Sequence, residues 1–292
     1  MENNKELDIS LDKKRQTKDI FRRLFRSKGA VIGLIIVVVL VIFALFSEVI
    51  APYHYDDQLL SRRFTPPSNE HLLGTDDYGR DIFSRIVYGS RTSLIIALLS
   101  VSFSSVIGVA IGCISGFYGG KIDNGIMRFM DILLAIPSIL LAISVSAALG
   151  QGLTNLTIAV GVGAMPGYAR LVRASAMSER DREYIEAARS IGANDLRIIT
   201  KHILPNIMAP IIVQSTMSIS IAILTAASLS FLGIGISPPT AEWGSMLSAG
   251  RAYIRDSWYI VTFPGLAIML AVFGFNLLGD GLRDALDPRL KN

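Results

Sequence analysis

The stretch Ser178–Pro205, SERDREYIEAARSIGANDLRIITKHILP, is a charged segment of 28 residues between two long uncharged runs, and its reading decides the rest of the chain. Ser178 with Asp181 three residues on has the form of a capping box, and Gly192 stands where a left-handed C-cap belongs. Asn194 can cap a following helix, and Pro205 marks that helix's end. The spacing therefore predicts a helix, a tight break and a second helix. In the first helix Tyr184, Ile185, Ala188 and Ile191 share one face, with Arg180, Glu183, Glu186 and Arg189 largely elsewhere. Such an elbow has an apolar side to seat and a charged side to present.

Around the elbow the chain is 51% hydrophobic and 18% charged over 292 residues, too apolar for an ordinary soluble domain and too charged to face only lipid. The composition fits an all-α polytopic membrane protein. A bilayer-crossing helix needs about 20 mostly apolar residues, and six candidates are expected: Gly29 to Ile50, Thr92 to Phe117, Met127 to Leu149, Leu156 to Leu171, Ile207 to Leu232 and Trp258 to Leu278. The fourth is the weakest, because Ile132 to Ala169 must supply most of two spans and the turn Gly150-Gln151-Gly152.

Basic residues favour the cytoplasmic side. With the N-terminus inside, 21 of the 28 Lys and Arg fall in inner pieces and 7 in outer ones. That ratio selects an N-in, C-in orientation and puts the elbow in the cytoplasm. The expected organisation is a cytoplasmic tail over 1–28, whose part from Lys18 is basic and amphipathic, then a first span over 29–50. An extracytoplasmic loop follows over 51–91, then a five-helix core over 92–279 holding the elbow 178–205, and a cytoplasmic tail over 280–292. Gly29 to Ser47 is too long an uncharged run for a secretory signal and lacks a small-x-small cleavage site, so it reads as a retained anchor. Cys113, the single cysteine, reads as a small packing residue.

In the outer loop, Thr75 with Asp76, Asp77 and Asp81 predicts a capped helix lying flat on the surface, with Asp76–Arg80 and Asp81–Arg85 as pairs four apart. A metal site from His71, Asp76, Asp77 and Asp81 is set aside, because the acids already have arginine partners. In the second span Gly108, Gly112 and Gly116 form a stripe that lets another helix approach closely. Its serines could line a polar path or bond back to their own helix. Pro238-Pro239 precedes a short helical stretch, Trp243, Trp258 and Tyr259 suit an interface belt, and Pro264 suggests a kink in the sixth span.

Chemistry is limited by what the spans lack. Apart from Glu48, Arg128, Asp131 and Arg170 near span ends they hold no acidic or basic side chain and no histidine, which disfavours an ion-coupled carrier. His54, His71 and His202 sit scattered in loops, which disfavours an intramembrane enzyme. The nearest approach to a phosphate loop, Ser115 to Ile122, lacks the first glycine and the final Ser or Thr, so the chain is not expected to hydrolyse ATP.

Glu186-Ala187-Ala188, Gly192 six residues after the glutamate, and Ile203-Leu204-Pro205 together resemble the EAA loop in membrane subunits of bacterial ATP-binding-cassette importers. His202 stands where that motif usually has its isoleucine, which here is Ile203. The resemblance narrows with His71-Leu72-Leu73-Gly74-Thr75-Asp76, Gly79-Arg80-Asp81, Tyr118-Gly119-Gly120-Lys121 with Asp123, and Asp287-Pro288-Arg289. Over about residues 20 to 290 the chain is similar to the C-type permease subunit of dipeptide, oligopeptide and nickel importers. The resemblance implies the type I importer permease fold in a bacterial inner membrane, paired as a heterodimer with a homologous permease subunit. It also implies two ATPase subunits beneath, which use the ATP, and a substrate-binding protein outside. The chain itself would bind no cofactor, metal or nucleic acid, and lipids would surround it. Glu186, Ala187, Ala188, Gly192, Ile203, Leu204 and Pro205 become the ATPase-coupling positions, and His71, Gly74, Thr75, Asp76, Gly79, Arg80 and Asp81 the outer family motif. Di- or oligopeptides are the leading substrate, nickel or a metal chelate the alternative, and a channel or receptor subunit the reading from a different class.

Overall fold

The computed structural model describes residues 22–286, whose regular structure is helical apart from one isolated bridge between Thr75 and Asp81. Helix α1 (Lys28–Leu45) continues after a bend into a single turn, Ser47–Ile50, and its N-terminus is capped by Ser27. The chain then crosses an irregular loop to α2 (Ile82–Tyr118), the longest helix. Next come α3 (Gly120–Leu134), α4 (Ser138–Leu149) and α5 (Leu153–Arg180). The elbow consists of α6 (Glu183–Ser190) and α7 (Asp195–Ile198), which leads through a π-turn at Ile199–Ile203 into α8 (Met208–Phe231). A short α9 (Trp243–Gly250) and the long α10 (Tyr259–Leu286) complete the fold.

Four helices, α1, α2, α8 and α10, are long and apolar enough to cross a membrane, and α3 with α4 makes a fifth, broken candidate. Residues such as Ile35, Leu98, Val106, Ile221 and Met269 are exposed all around these helices, as lipid-facing side chains must be. The most extensive pairing is α2 against α5, where the glycine stripe does what its spacing predicts. A Cβ added at Gly108 would lie 2.5 Å from Tyr168 Cβ, and one at Gly112 would lie 2.6 Å from the Ala169 carbonyl oxygen. At Gly116 it would lie 2.7 Å from the Arg173 carbonyl, so the two backbones touch along three turns. On the other side α1 packs into α10, with Gly33 and Gly274 at their crossing.

Several expectations are corrected. The span Met127 to Leu149 is not one helix: α3 and α4 meet at 87° across Ala135–Pro137. Pro137 disfavours helical geometry at the residue before it and cannot donate to the preceding turn. The polar fourth span is longer than Leu156 to Leu171 and falls outside the set apolar enough to span alone. No separate helix lies flat before α2, since α2 starts at Ile82 with Asp81 as its N-cap and runs unbroken to Tyr118. Thr75 caps nothing, because Thr75–Asp81 closes a hairpin in which the Asp76 carboxylate caps the turn, and Asp81 caps α2 in its place.

Ser178 also caps nothing, because α5 continues past it to Arg180, whose guanidinium donates to the carbonyls of Gly116 and Phe117 and fixes the last turn. Trp243 and Tyr259 are buried, leaving only Trp258 of that trio exposed. The Trp243 indole donates to the Ile86 carbonyl at 3.1 Å and is a core residue rather than a belt residue. The helix predicted to stop near Leu278 runs on to Leu286 with Pro264 inside it. The residues 1–21 of the basic tail and the motif Asp287-Pro288-Arg289 lie outside the described residues; Leu24 is buried against Ala30 and Ala285.

Candidate coupling elbow and central cavity

The elbow is built on an apolar seat. Ile185 and Ala188 from α6, Ile198 from α7, and Ile203, Ile207 and Ile211 beyond it are buried together with Cys113 and Phe117 of α2 and Val172 and Ala176 of α5. These ten residues form one cluster, so the elbow is fixed to the ends of the two most tightly packed helices. Gly192 adopts φ +82°, a left-handed conformation that a side chain would strain, although a Cβ there would meet open space. Glycine is required at that point by backbone geometry alone. Asn194 Oδ1 accepts from the Arg197 amide at 2.9 Å and starts α7 as predicted. Pro205 has no amide proton, and the turn before it widens so that the Leu204 amide bonds to the Ile199 carbonyl.

The motif residues therefore divide into two sets. Ala188 and Ile203 lie in the seat and Leu204 is half-buried, whereas Glu186, Ala187, Gly192 and Pro205 are exposed. Beside them Ile191 is 87% exposed and Leu196 70% exposed, large apolar side chains on a surface otherwise lined by Glu183, Glu186 and Arg197. Large apolar side chains exposed among charges of both signs are the composition of a protein contact rather than of a solvated face. Of the predicted one-face set, Ile185 and Ala188 point inward, while Tyr184 is held by Asn206 Nδ2 at 2.9 Å and donates to Glu179.

A second knot ties α3 to the same end. Gly119 and Gly120 take φ +65° and +56°, turning the chain sharply out of α2. Asp123 is then buried and receives both Arg173 Nε at 2.5 Å and Nη2 at 2.6 Å, a bidentate pair, with Ser115 Oγ as a further donor. Asp123 belongs to a motif visible in the sequence, but Arg173 is 50 residues away and no spacing rule connects them.

The outer motif is brought together as one self-satisfied hairpin. His71 Nδ1 lies 3.0 Å from Asp81 Oδ1, and Asp81 Oδ2 accepts from the Ser84 amide and hydroxyl, both at 2.8 Å. Arg80 Nε donates to Asp76 Oδ2 at 2.7 Å, and Asp76 Oδ1 caps the amides of Tyr78 and Arg80. Thr75 Oγ1 donates to the Arg62 carbonyl, and Gly79 passes so close to Leu59 that a Cβ would fall 2.0 Å from its oxygen. The expected pair Asp81–Arg85 does not form, since Arg85 turns to Asp76 at 3.7 Å and to the Tyr55 carbonyl at 2.8 Å. Among the described residues no cluster of three His, Cys, Asp or Glu side chains is arranged to hold a metal. Nearby Glu242 is fully buried, caps α9 through the amides of Gly244 and Ser245, and has its carboxyl pushed up by burial. Sequence reasoning missed Glu242, although a Glu directly ahead of a short helix is a usable cap signal.

Midway along α2, α5 and α8 lies a cavity of about 210 Å³ lined by Ser100, Ser104, Ser138, Gly163, Gly167, Gln214, Ser218 and Thr225, together with apolar side chains and no charged one. The break between α3 and α4 opens onto it, with the Ser138 carbonyl 3.0 Å from where a Gly163 Cβ would sit. Ser104 bonds back to Val101, but Ser100 crosses to the Thr157 carbonyl at 3.1 Å, and Gln214 Nε2 donates to Ser218 at 3.2 Å. The wall thus offers hydroxyls, an amide and backbone to whatever enters it.

Comparison with known proteins agrees with this architecture. Residues 108–292 match the model of the binding-protein-dependent transport system inner membrane component, and residues 15–67 match that of the N-terminal TM domain of oligopeptide transport permease C. The chain is 47% identical over its full length to the di/tripeptide transport system permease protein DppC of Pseudomonas aeruginosa, covering 98% of it. It is 48% identical to the dipeptide transport system permease protein DppC of Alkalihalophilus pseudofirmus, over 94% of this chain and 90% of that one. Among solved structures, an inward-facing form of the MetNI methionine ABC transporter has a chain of the same fold, with a TM-score of 0.57, 21% identity, and coverage of 70% of this chain and 98% of that one. The chain belongs to the family of binding-protein-dependent transport system inner membrane components.

Proposed function

We propose that this chain is the permease subunit of an ATP-driven importer of di- and oligopeptides in a bacterial inner membrane. The observation that carries the reading is the seated elbow: a rigid helix pair fixed to α2 and α5 that leaves Glu186, Ala187, Ile191, Gly192 and Leu196 facing away from the bundle. In this reading the six spans are α1, α2, the broken pair α3–α4, α5, α8 and α10, with both termini and the elbow in the cytoplasm and residues 51–81 outside. The basic-residue asymmetry supports that orientation. The polar α5 crosses because α2, α4 and α8 shield it from lipid.

Two ATPase subunits act on the elbow, a homologous permease subunit completes the path and an external binding protein delivers substrate. This chain binds no ATP itself. Closure of the ATPases pushes on Glu186 and its neighbours, and the elbow passes the motion to α5 and α8, to which it is joined directly. The uncharged cavity of Ser100, Ser138, Gln214 and Ser218 suits a substrate whose constant feature is its amide backbone. The names of the full-length relatives support peptide over nickel.

The reading is tested with the assembled importer in proteoliposomes, measuring uptake of a labelled dipeptide and of nickel. Peptide uptake without nickel uptake is expected. Glu186→Lys reverses the charge on the exposed face, and Gly192→Pro is incompatible with φ +82°; each is expected to abolish uptake and ATPase stimulation while the protein still inserts. Wild-type uptake from both variants refutes the coupling role, and nickel uptake without peptide uptake refutes the substrate.

A further inference from the structure

At the end of the bundle opposite the elbow lies a cavity of about 450 Å³ that the transport reading does not use, lined by Glu48, His54, Tyr55, Tyr88, Arg91 and Thr240 with their neighbours. Three of its rings pack on one another: His54 on Tyr55 at 4.4 Å between centroids, Tyr55 on Tyr88 at 5.2 Å, and His54 on Tyr88 at 5.5 Å. The loop that carries them is held in place from behind, since Arg85 donates to the Tyr55 carbonyl at 2.8 Å and the His54 amide donates to Asp57 at 3.0 Å. Glu48 and Arg91 stand on the rim with opposite charge, yet among the described residues neither takes part in an ion pair.

An unpaired acid and an unpaired base beside an aromatic wall are complementary to one molecule bearing both an ammonium and an anionic group. Phenol and imidazole faces attract a cation, a carboxylate adds to that attraction, and a guanidinium takes phosphate through two parallel donors. The level of the cavity indicates the source. Glu48 sits in the last turn after α1, between Leu45, Phe46 and Val49, which are 72%, 54% and 83% exposed. Below Arg91, Ile95, Leu98 and Leu99 on α2 are exposed as well. The apolar belt therefore ends where this cavity begins, the depth at which lipid headgroups lie.

We infer that this cavity binds the headgroup of a zwitterionic phospholipid of the phosphatidylethanolamine type, its ammonium against Glu48 and the His54–Tyr55–Tyr88 rings and its phosphate on Arg91. Bound there, the lipid pins the loop after α1 to the start of α2.

The test is native mass spectrometry of the purified full-length chain in detergent, titrated with dihexanoyl phosphatidylethanolamine, dihexanoyl phosphatidylglycerol, or glycyl-glycine as a free zwitterion without acyl chains. One saturable phosphatidylethanolamine per chain is expected, bound more tightly than phosphatidylglycerol, with no retention of the dipeptide. Glu48→Gln should weaken phosphatidylethanolamine roughly two- to fivefold, the worth of one exposed ion pair, and leave phosphatidylglycerol unchanged, whereas Arg91→Gln should weaken both. Both substitutions are at the exposed rim, and an unchanged thermal midpoint confirms folding. Equal binding of the two lipids by the wild type, or unchanged phosphatidylethanolamine binding in both variants, overturns the site as ordinary annular lipid. Retention of glycyl-glycine that depends on Glu48 and Arg91, without lipid binding, overturns the lipid assignment.

Discussion

Replacing Gly112 with alanine tests the centre of the α2–α5 seam. The added Cβ would lie 2.6 Å from the Ala169 carbonyl oxygen, 2.7 Å from Val172 Cβ and 2.9 Å from the Arg173 amide nitrogen. Two of these are backbone atoms of α5 and cannot rotate away, so α2 and α5 must part by about 0.8 Å to restore ordinary contact. A gap of that size forfeits a quarter to a half of each contact's attraction. Gly108 and Gly116 are just as close one turn to either side, so tilting α5 relieves one point only by tightening another. Overpacking of this kind costs about 2 kcal/mol, and at about 2.1 cal/mol/K of unfolding entropy per residue a chain of this length loses about 3 °C from its unfolding midpoint. Cys113, the next residue and the sole cysteine, is buried in the same interface and reports unfolding through a thiol-reactive dye. Gly167→Ala is the control: its Cβ would meet nothing, so the helix should gain about 0.5–1 kcal/mol instead. A wild-type midpoint for Gly112→Ala, or an equal fall for Gly167→Ala, would refute the reasoning.

Three further outcomes follow from the same geometry. Trp243→Ala removes a fully buried indole and its bond to Ile86, and should destabilise the chain by about 3–5 kcal/mol in the same dye assay. Asp123→Asn leaves Arg173 facing a neutral amide in place of a bidentate carboxylate, a loss of about 2–3 kcal/mol that Arg173→Gln should reproduce and the double variant should not double. Burial raises the Glu242 carboxyl above its usual 4.5, so the folded chain holds that proton more tightly than the unfolded one. Its stability should then fall as pH rises from 4.5 upward, and Glu242→Gln should flatten the slope measured by midpoints across that range.

The sequence announced what depends on local pattern. The apolar runs became α1, α2, α8 and α10, the glycine stripe became the α2–α5 seam, and Gly192 and Asn194 shape the elbow where chain chemistry requires them. Features set by distant partners were hidden. Arg173 reaches Asp123 and Arg180 reaches Gly116 only because α2 and α5 touch, so neither the knot nor the extension of α5 past Ser178 has a local signature. Trp243 reads as an interface residue by type and is buried because α2 brings it a carbonyl partner. Thr75 and the acids around Gly79 have the residue types of a helix start, yet a bridge and a tight turn use them first. The Pro137 break was written in the chain, but a proline within an apolar run leaves open whether a helix kinks slightly or turns by 87°.

Because α5 runs as one helix from the central cavity to Arg180, with only the turn Asp181–Arg182 before the elbow, it works as a rod with one soft joint. Pro166 removes the bond to the turn below it, and Gly167 beside it lines the cavity. From that joint to Arg180 the rod is about 21 Å long at 1.5 Å per residue, so a flex of about 5° swings the elbow end by about 2 Å. The fulcrum lies at the level of the cavity, and a push at one end is felt first where a substrate would rest.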